Sequence, residues 1–262
     1  MKTKLVVASL FSALTVTVAR ADGTPQELPL VQDWSATNLI STENDWSGVP
    51  GFMGYRGDKL VPKPGVNPQT VTADGAGTPV SILANQKNPN TLRTGGLAEF
   101  DTLADPVVAF KGSATAGAPS LVLNLTTNGK KNIAVGYKLR DIDGAVNNAV
   151  QAVAFQYRVN TNATYTDIPS AFAPDASTGP SLATLMTPIV ALLPSDTGDQ
   201  PLVQVRWITT NSDGNDEWIG IDDITVIGDA LAGAPAAAAS VHGDTNRAPV
   251  KSLRSPRDLS NQ

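Results

Sequence analysis

The sequence predicts an all-β fold, a sandwich or a barrel, in one domain over residues 28–228. Three observations carry this. Apolar residues alternate with polar ones in short runs rich in Val, Ile, Leu and aromatic residues. Clusters of Gly, Pro, Asn and Asp separate the runs, and 22 Gly and 19 Pro make such breaks frequent. No part of the body sustains the 3.6-residue apolar period of a helix.

Taken in order, residues 44–59 and 62–77 read as long N-terminal loops holding two or three short strands. A short apolar strand is predicted at 106–110. In 120–126, Leu121, Leu123 and Leu125 share a face. In 132–140, Ile133, Val135, Tyr137 and Leu139 share one, with Lys138 and Arg140 opposite. Thr127-Asn128-Gly129-Lys130 has tight-turn chemistry, so these two runs are expected to pair as a hairpin. Residues 151–159 alternate Val153, Phe155, Tyr157 and Val159 against Ala152, Ala154, Gln156 and Arg158. One short helix is expected at 178–185. Residues 202–209 place Val203, Val205 and Trp207 together, and 218–227 form the last strand. One apolar and one wetter face per strand is the antiparallel pattern.

The first residues predict the compartment. Lys2 and Lys4 precede an apolar run that ends in Ala19-Arg20-Ala21, the pattern of a signal peptide over 1–21. The protein is therefore expected to be secreted, extracellular or periplasmic. No later run reaches the roughly 20 apolar residues of a membrane span. Loss of Lys2, Lys4 and Arg20 takes the formal charge from −5 to −8, which disfavours direct nucleic-acid binding. Residues 229–262 are Ala-, Gly-, Pro- and Ser-rich and read as a disordered tail. Its Arg247, Lys251, Arg254 and Arg257 are alternatively a basic strip for an anionic surface.

Composition removes whole classes of chemistry. There is no cysteine, and the one histidine, His242, lies in that tail. Thiolate zinc sites, a cysteine nucleophile and imidazole-based catalysis all lack their key group in the body. What remains is oxygen. Asn211-Ser-Asp213-Gly-Asn215-Asp216-Glu217-Trp218, followed by Asp222 and Asp223, offers Asp213, Asn215, Asp216, Glu217, Asp222 and Asp223 as calcium ligands. The spacing is not that of an EF-hand, and a solvated turn is the alternative. On a continuous strand Asp222 faces inward and needs a cation, with Arg140 and Arg206 as candidate partners. A bulge at Asp222-Asp223 would instead turn one acid outward. Asp141 and Asp143 supply either a metal or, more simply, a turn.

For ligand binding, Trp46, in an Asn/Asp/Gly loop, and Tyr55 are the candidate stacking platforms, whereas Trp207 and Trp218 read as core. Arg56-Gly57-Asp58 is a bare adhesion-like triplet and ordinary turn material. Glu43, Asp45, Glu99, Asp101 and Glu217 could supply an acid and a base for a glycosidase or lyase, but no spacing singles them out.

Several stretches together resemble a family. These are Ser47-Gly-Val-Pro-Gly-Phe-Met-Gly-Tyr-Arg-Gly-Asp58, Gly95-Gly-Leu-Ala-Glu-Phe100, Tyr137-Lys-Leu-Arg-Asp-Ile-Asp143, Gln204-Val-Arg-Trp-Ile-Thr-Thr210 and Asn215-Asp-Glu-Trp-Ile-Gly-Ile-Asp-Asp-Ile224. They resemble the N-terminal module of large secreted bacterial proteins, where it precedes an extracellular nuclease or phosphoesterase domain. The last stretch also resembles the final strand of jelly-roll adhesion and carbohydrate-binding modules. The resemblance implies a jelly-roll-like antiparallel sandwich and carries over no catalytic residue. The sequence thus leads to a non-catalytic module for an extracellular polymer such as a glycan, with calcium as its one candidate cofactor. The alternatives are a part of a nuclease system, a carboxylate enzyme, or matrix or surface material that associates through an exposed patch or edge.

Overall fold

Residues 21–144, 149–177 and 185–232 are described in a computed structural model. The signal peptide expected at 1–21 save Ala21, the helix expected at 178–185 save Leu185, and His242 with the rest of the chain beyond Ala232 lie outside the described residues.

The alternating runs fold as twelve strands: β1 (Leu30–Gln32), β2 (Phe52–Tyr55), β3 (Leu83–Gln86), β4 (Gly96–Phe100), β5 (Val107–Lys111), β6 (Ser120–Leu125), β7 (Lys130–Asp141), β8 (Val153–Val159), β9 (Thr166–Asp167), β10 (Met186–Leu192), β11 (Val203–Thr209) and β12 (Ile219–Ala230). The other regular elements among the described residues are short 3-10 turns. Two sheets result, one of seven strands ordered β10-β7-β12-β5-β4-β3 with β1 also on β12, and one of five ordered β2-β6-β11-β8-β9. Pairing is antiparallel except between β3 and β4. From β5 to β8, and again from β10 to β12, successive strands alternate between the sheets, a jelly-roll manner of winding. The fold starts earlier than residue 28: the Asp22 carbonyl accepts from Gly51 N at 2.8 Å, and Gln26 bridges to Leu125.

This winding corrects the expected hairpin. β6 pairs with β2 and β11, and β7 pairs with β10 and β12, in opposite sheets. The Thr127–Lys130 turn exists, with Lys130 N donating to Thr127 O at 2.8 Å and Gly129 at φ 68°, but it carries the chain across the core. Period-two alternation is the same whether two apolar faces lie side by side or face each other, so pattern alone could not separate a hairpin from an arch. Here they face: Leu121, Leu123 and Leu125 share one core with Ile133, Val135, Tyr137 and Leu139. Tyr137 of one sheet meets Trp207 edge-on at 5.4 Å and Phe155 at 5.3 Å from the other. Burial of such rings is the main source of cohesion between the sheets.

The second face of the five-stranded sheet is not wet. Asn124, Gln156, Arg158, Gln204 and Arg206 point away from the core, yet all are buried. The segment 57–80 lies across them. Arg206 donates to Val71 O at 2.6 Å and Ala73 O at 2.8 Å, and to the Gln156 carboxamide oxygen through Nε at 3.0 Å. The Tyr165 ring lies 3.7 Å from the Arg206 guanidinium and 4.4 Å from that of Arg158, which pairs with Asp74 at 3.1 Å. Thr210 Oγ1 donates to Val66 O at 2.6 Å. The long loop that the sequence announced is therefore a strap, stitched down by a polar layer.

Along the other sheet, β10 is an edge strand with exposed Met186, Val190 and Leu192. Leu192, Ala134 and Ile227 fall in one cross-strand row, and Val190, Gly136, Thr225 and Val31 in the next.

Candidate functional site

The register gathers loops at one end of the sandwich. Ile219, at the start of β12, pairs with Phe110 near the end of β5 and with Asp141 at the end of β7. Gly96, at the start of β4, pairs with Lys111 at the end of β5, so the loops before β4 and β12 and after β5 and β7 meet there. They enclose a cleft of about 480 Å³ lined by Asn90, Arg93, Lys111, Ser113, Asp143, Asn215 and Asp216, with Pro89, Leu92 and two glycines. Trp218 braces it from behind. Its indole N–H donates to Leu92 O at 3.0 Å, its ring meets Phe100 edge-on at 5.3 Å, and Lys111 Nζ stands 5.9 Å from it. Gly112 is required here because a Cβ would come within 2.3 Å of the Asp216 carboxylate. Asp216 accepts from Ser212 N at 2.8 Å, and burial raises its pKa above the ordinary carboxylate range.

Behind the wall lies a knot of acids. Asp143 accepts from Trp218 N at 3.0 Å. Glu217, fully buried, accepts from Ala149 N at 3.2 Å through one oxygen, while its Oε2 has no hydrogen-bond partner. Burial, then the neighbouring Asp143, pushes Glu217 up to about 8. Burial, again followed by Asp143, pushes Asp141 up to about 7. Glu217 is therefore mainly protonated at neutral pH.

The six residues proposed as calcium ligands do not converge. Asp213 turns toward Gly65, in a separate, more apolar cleft of about 430 Å³ lined also by Val66, Val150 and Phe172. Asn215 and Asp216 face the end cleft, and Glu217 is buried behind it. Asp222 meets Arg140 at 2.5 Å, whereas Asp223, at φ 48° on a bulge, pairs with Lys138 on the surface. Strand alternation and the bulge send neighbouring acids in opposite directions. Among the described residues no three acids or histidines form a metal-binding group.

The aromatic platforms are corrected as well. Trp46 is fully buried, donating to Ser81 O at 3.2 Å and filling the space over Gly54, where a Cβ would lie 2.6 Å from its ring. Tyr55 is 8% exposed in β2. The polar neighbours that suggested a wet loop at Trp46 build its turn: Asn44 sits at φ 60° and Asp45 accepts from Ser47 N at 2.9 Å. Arg56 and Asp58 pair with each other at 2.6 Å. Of the candidate acids, Glu99 is buried and pushed up to about 7 by burial, and neither it nor Glu43, Asp45 or Asp101 lines the cleft. Sequence reasoning missed Asn90, Arg93, Lys111 and Ser113. They come from two segments, Asn90 and Arg93 between β3 and β4 and Lys111 and Ser113 at and just past the end of β5, with no spacing that joins them to Asp143 or Asn215.

No family model matches the chain, and no curated protein matches it. Among solved structures, it is similar to a carbohydrate-binding module, CBM28, specific for non-crystalline cellulose (TM-score 0.39, 10% identity, 55% of this chain and 88% of that one). It is similar to the K3 cleaved adhesin domain of Lys-gingipain from Porphyromonas gingivalis w83 (TM-score 0.40, 12% identity, 76% and 96%). It is also similar to a Stig cyclase, Fisc, from Fischerella sp. TAU (TM-score 0.36, 11% identity, 70% and 86%). None of the three is a nuclease-associated module.

Proposed function

We propose that this chain is a secreted, non-catalytic recognition module that holds an extracellular polysaccharide at the end cleft. One observation carries the reading: amide, hydroxyl and charged side chains from four separate loops converge on one open trough anchored on strand ends. Polyhydroxyl ligands are held by such convergent donors and acceptors on a rigid frame. The strapped face of the five-stranded sheet leaves the loops, rather than that flat surface, to do the binding.

The reading is tested by a glycan array, with melting curves as a check of folding. Asn215→Ala and Ser113→Ala are each expected to weaken the best ligand about three- to tenfold, the range for one lost hydrogen bond. An array with no binder would end the proposal. A second reading, polymer cleavage by carboxylates, is favoured by Asp143 at the cleft wall with Glu217 behind it. Release of reducing ends or unsaturated sugars at an enzymatic rate would establish it in place of recognition alone.

A further inference from the structure

The outer face of the seven-stranded sheet is apolar where an antiparallel sheet turned to water is ordinarily polar. Among the described residues six large apolar side chains are exposed, and five share this face: Val190 (75% exposed), Val31 (68%), Leu192 (65%), Met186 (53%) and Ile227 (52%). The sixth, Val150, lines the separate cleft beside Phe172. The rows Leu192-Ala134-Ile227 and Val190-Gly136-Thr225-Val31 make four of the five contiguous over neighbouring strands, and Pro188 continues the strip along β10 to Met186. Polar groups close it at both ends. Lys138 pairs with Asp223 and Arg140 with Asp222, and at the far end Asn132 donates to Asp229. An apolar centre inside a polar rim is the anatomy of a protein–protein interface. The two ion pairs also matter in a chain of net charge −5: they settle the charges nearest the strip within one copy rather than leaving them to repel another.

We infer that this face joins two copies of the chain, sheet against sheet, whatever the end cleft holds. Area favours that occupant. Five aliphatic side chains at these exposures present on the order of 100 Å² each, about 500 Å² together, near the top of what a single-chain protein leaves bare. Interfaces between like subunits are roughly 65% apolar, so the strip is the centre of about 750 Å² per copy, close to the roughly 800 Å² of a standard interface. Shape favours it too. Ala134 and Gly136 are small, and a two-fold axis running along the strands between β7 and β12 sets Ile227 of each copy over Ala134 of the other, and Val190 against Val31. A sugar polymer fits less well, since no side chain in the two rows is aromatic. A two-fold contact between faces uses the surface up in both copies, so association stops at two.

The test is sedimentation velocity on the purified chain over a concentration series reaching several hundred micromolar. A dimer is expected with a dissociation constant on the order of 1–100 μM, modest for its area because association itself is costly. Val190→Glu and Ile227→Lys should each weaken it at least about tenfold, since each sets a charge in the middle of the contact. Val150→Glu, away from the strip, should leave it unchanged. Melting curves check that the variants fold. The chain has no cysteine, so Val190→Cys supplies a single thiol. Maleimide should label it quickly in dilute solution and slowly in concentrated solution. A parent that stays monomeric throughout, or Val190→Glu and Ile227→Lys variants that pair as the parent does, would overturn the inference. A thiol shielded at every dilution in a monomer would put a different occupant on the face and overturn it also.

Discussion

Replacing Arg206 with methionine is expected to lower the unfolding free energy by about 3 kcal/mol and to open the 57–80 strap to proteases. Methionine keeps much of the aliphatic volume and removes the fork. Arg206 is fully buried, and among the described residues no carboxylate pairs with it; its donors go to Val71 O, Ala73 O and Gln156. Burial lowers its pKa to about 10, still charged at neutral pH. The variant leaves the Gln156 carboxamide oxygen without its Arg206 donor and Val71 O with only Gln156 Nε2 at 3.3 Å, and a buried acceptor left unrelieved costs about 1–3 kcal/mol. Urea unfolding gives the stability, and mapping the first proteolytic cuts locates the opening. A midpoint and a cleavage map identical to the parent's would show that Arg206 does not hold the strap.

Stability should fall as pH rises from about 4.5 to 8, and Glu217→Gln should flatten that slope. Glu217 titrates at about 8 in the folded protein against an ordinary 4.5, Asp141 at about 7 against 3.8, and Glu99 at about 7 against 4.5. Over this window the native state holds protons that the unfolded chain has released. The stabilisation is complete below the unfolded values and is lost as pH climbs through the folded ones. Each group can contribute a slope of up to about 1.4 kcal/mol per pH unit. Glutamine at position 217 still accepts from Ala149 N and places beside Asp143 a neutral amide that does not titrate. At pH 8 the variant should exceed the parent by about 1–3 kcal/mol, with little difference at pH 4.5. Parallel stability curves for parent and variant across that range would show that Glu217 does not hold its proton in the folded protein.

Some of this was legible in the residues and some was not. The runs at 106–110, 120–126, 132–140, 151–159, 202–209 and 218–227 became strands because alternation is a local property of the chain. The inward Asp222, its Arg140 partner and the bulge at Asp223 followed from the cost of burying a bare carboxylate. β10 escaped notice because Thr187-Pro188 interrupts it and its outward face is apolar, reversing the usual alternation. Trp46 misled because turn residues are read as wet, whereas its pocket is made by Gly54 and Ser81, far away in sequence. The cleft residues carry no local signature at all. Arg93 and Lys111 acquire meaning only when the register brings four loop ends together.

The margin formed by β10 bears on whether copies of the chain can join into fibres. Its ladder to β7 runs unbroken from Met186 to Leu192 through Pro188, so the proline nitrogen must turn toward the vacant side. A strand arriving from another molecule would find one rung missing in the middle of an otherwise greasy template. The protein can thus display Val190 and Leu192 to solvent without offering its flank as a seed for stacked, amyloid-like growth.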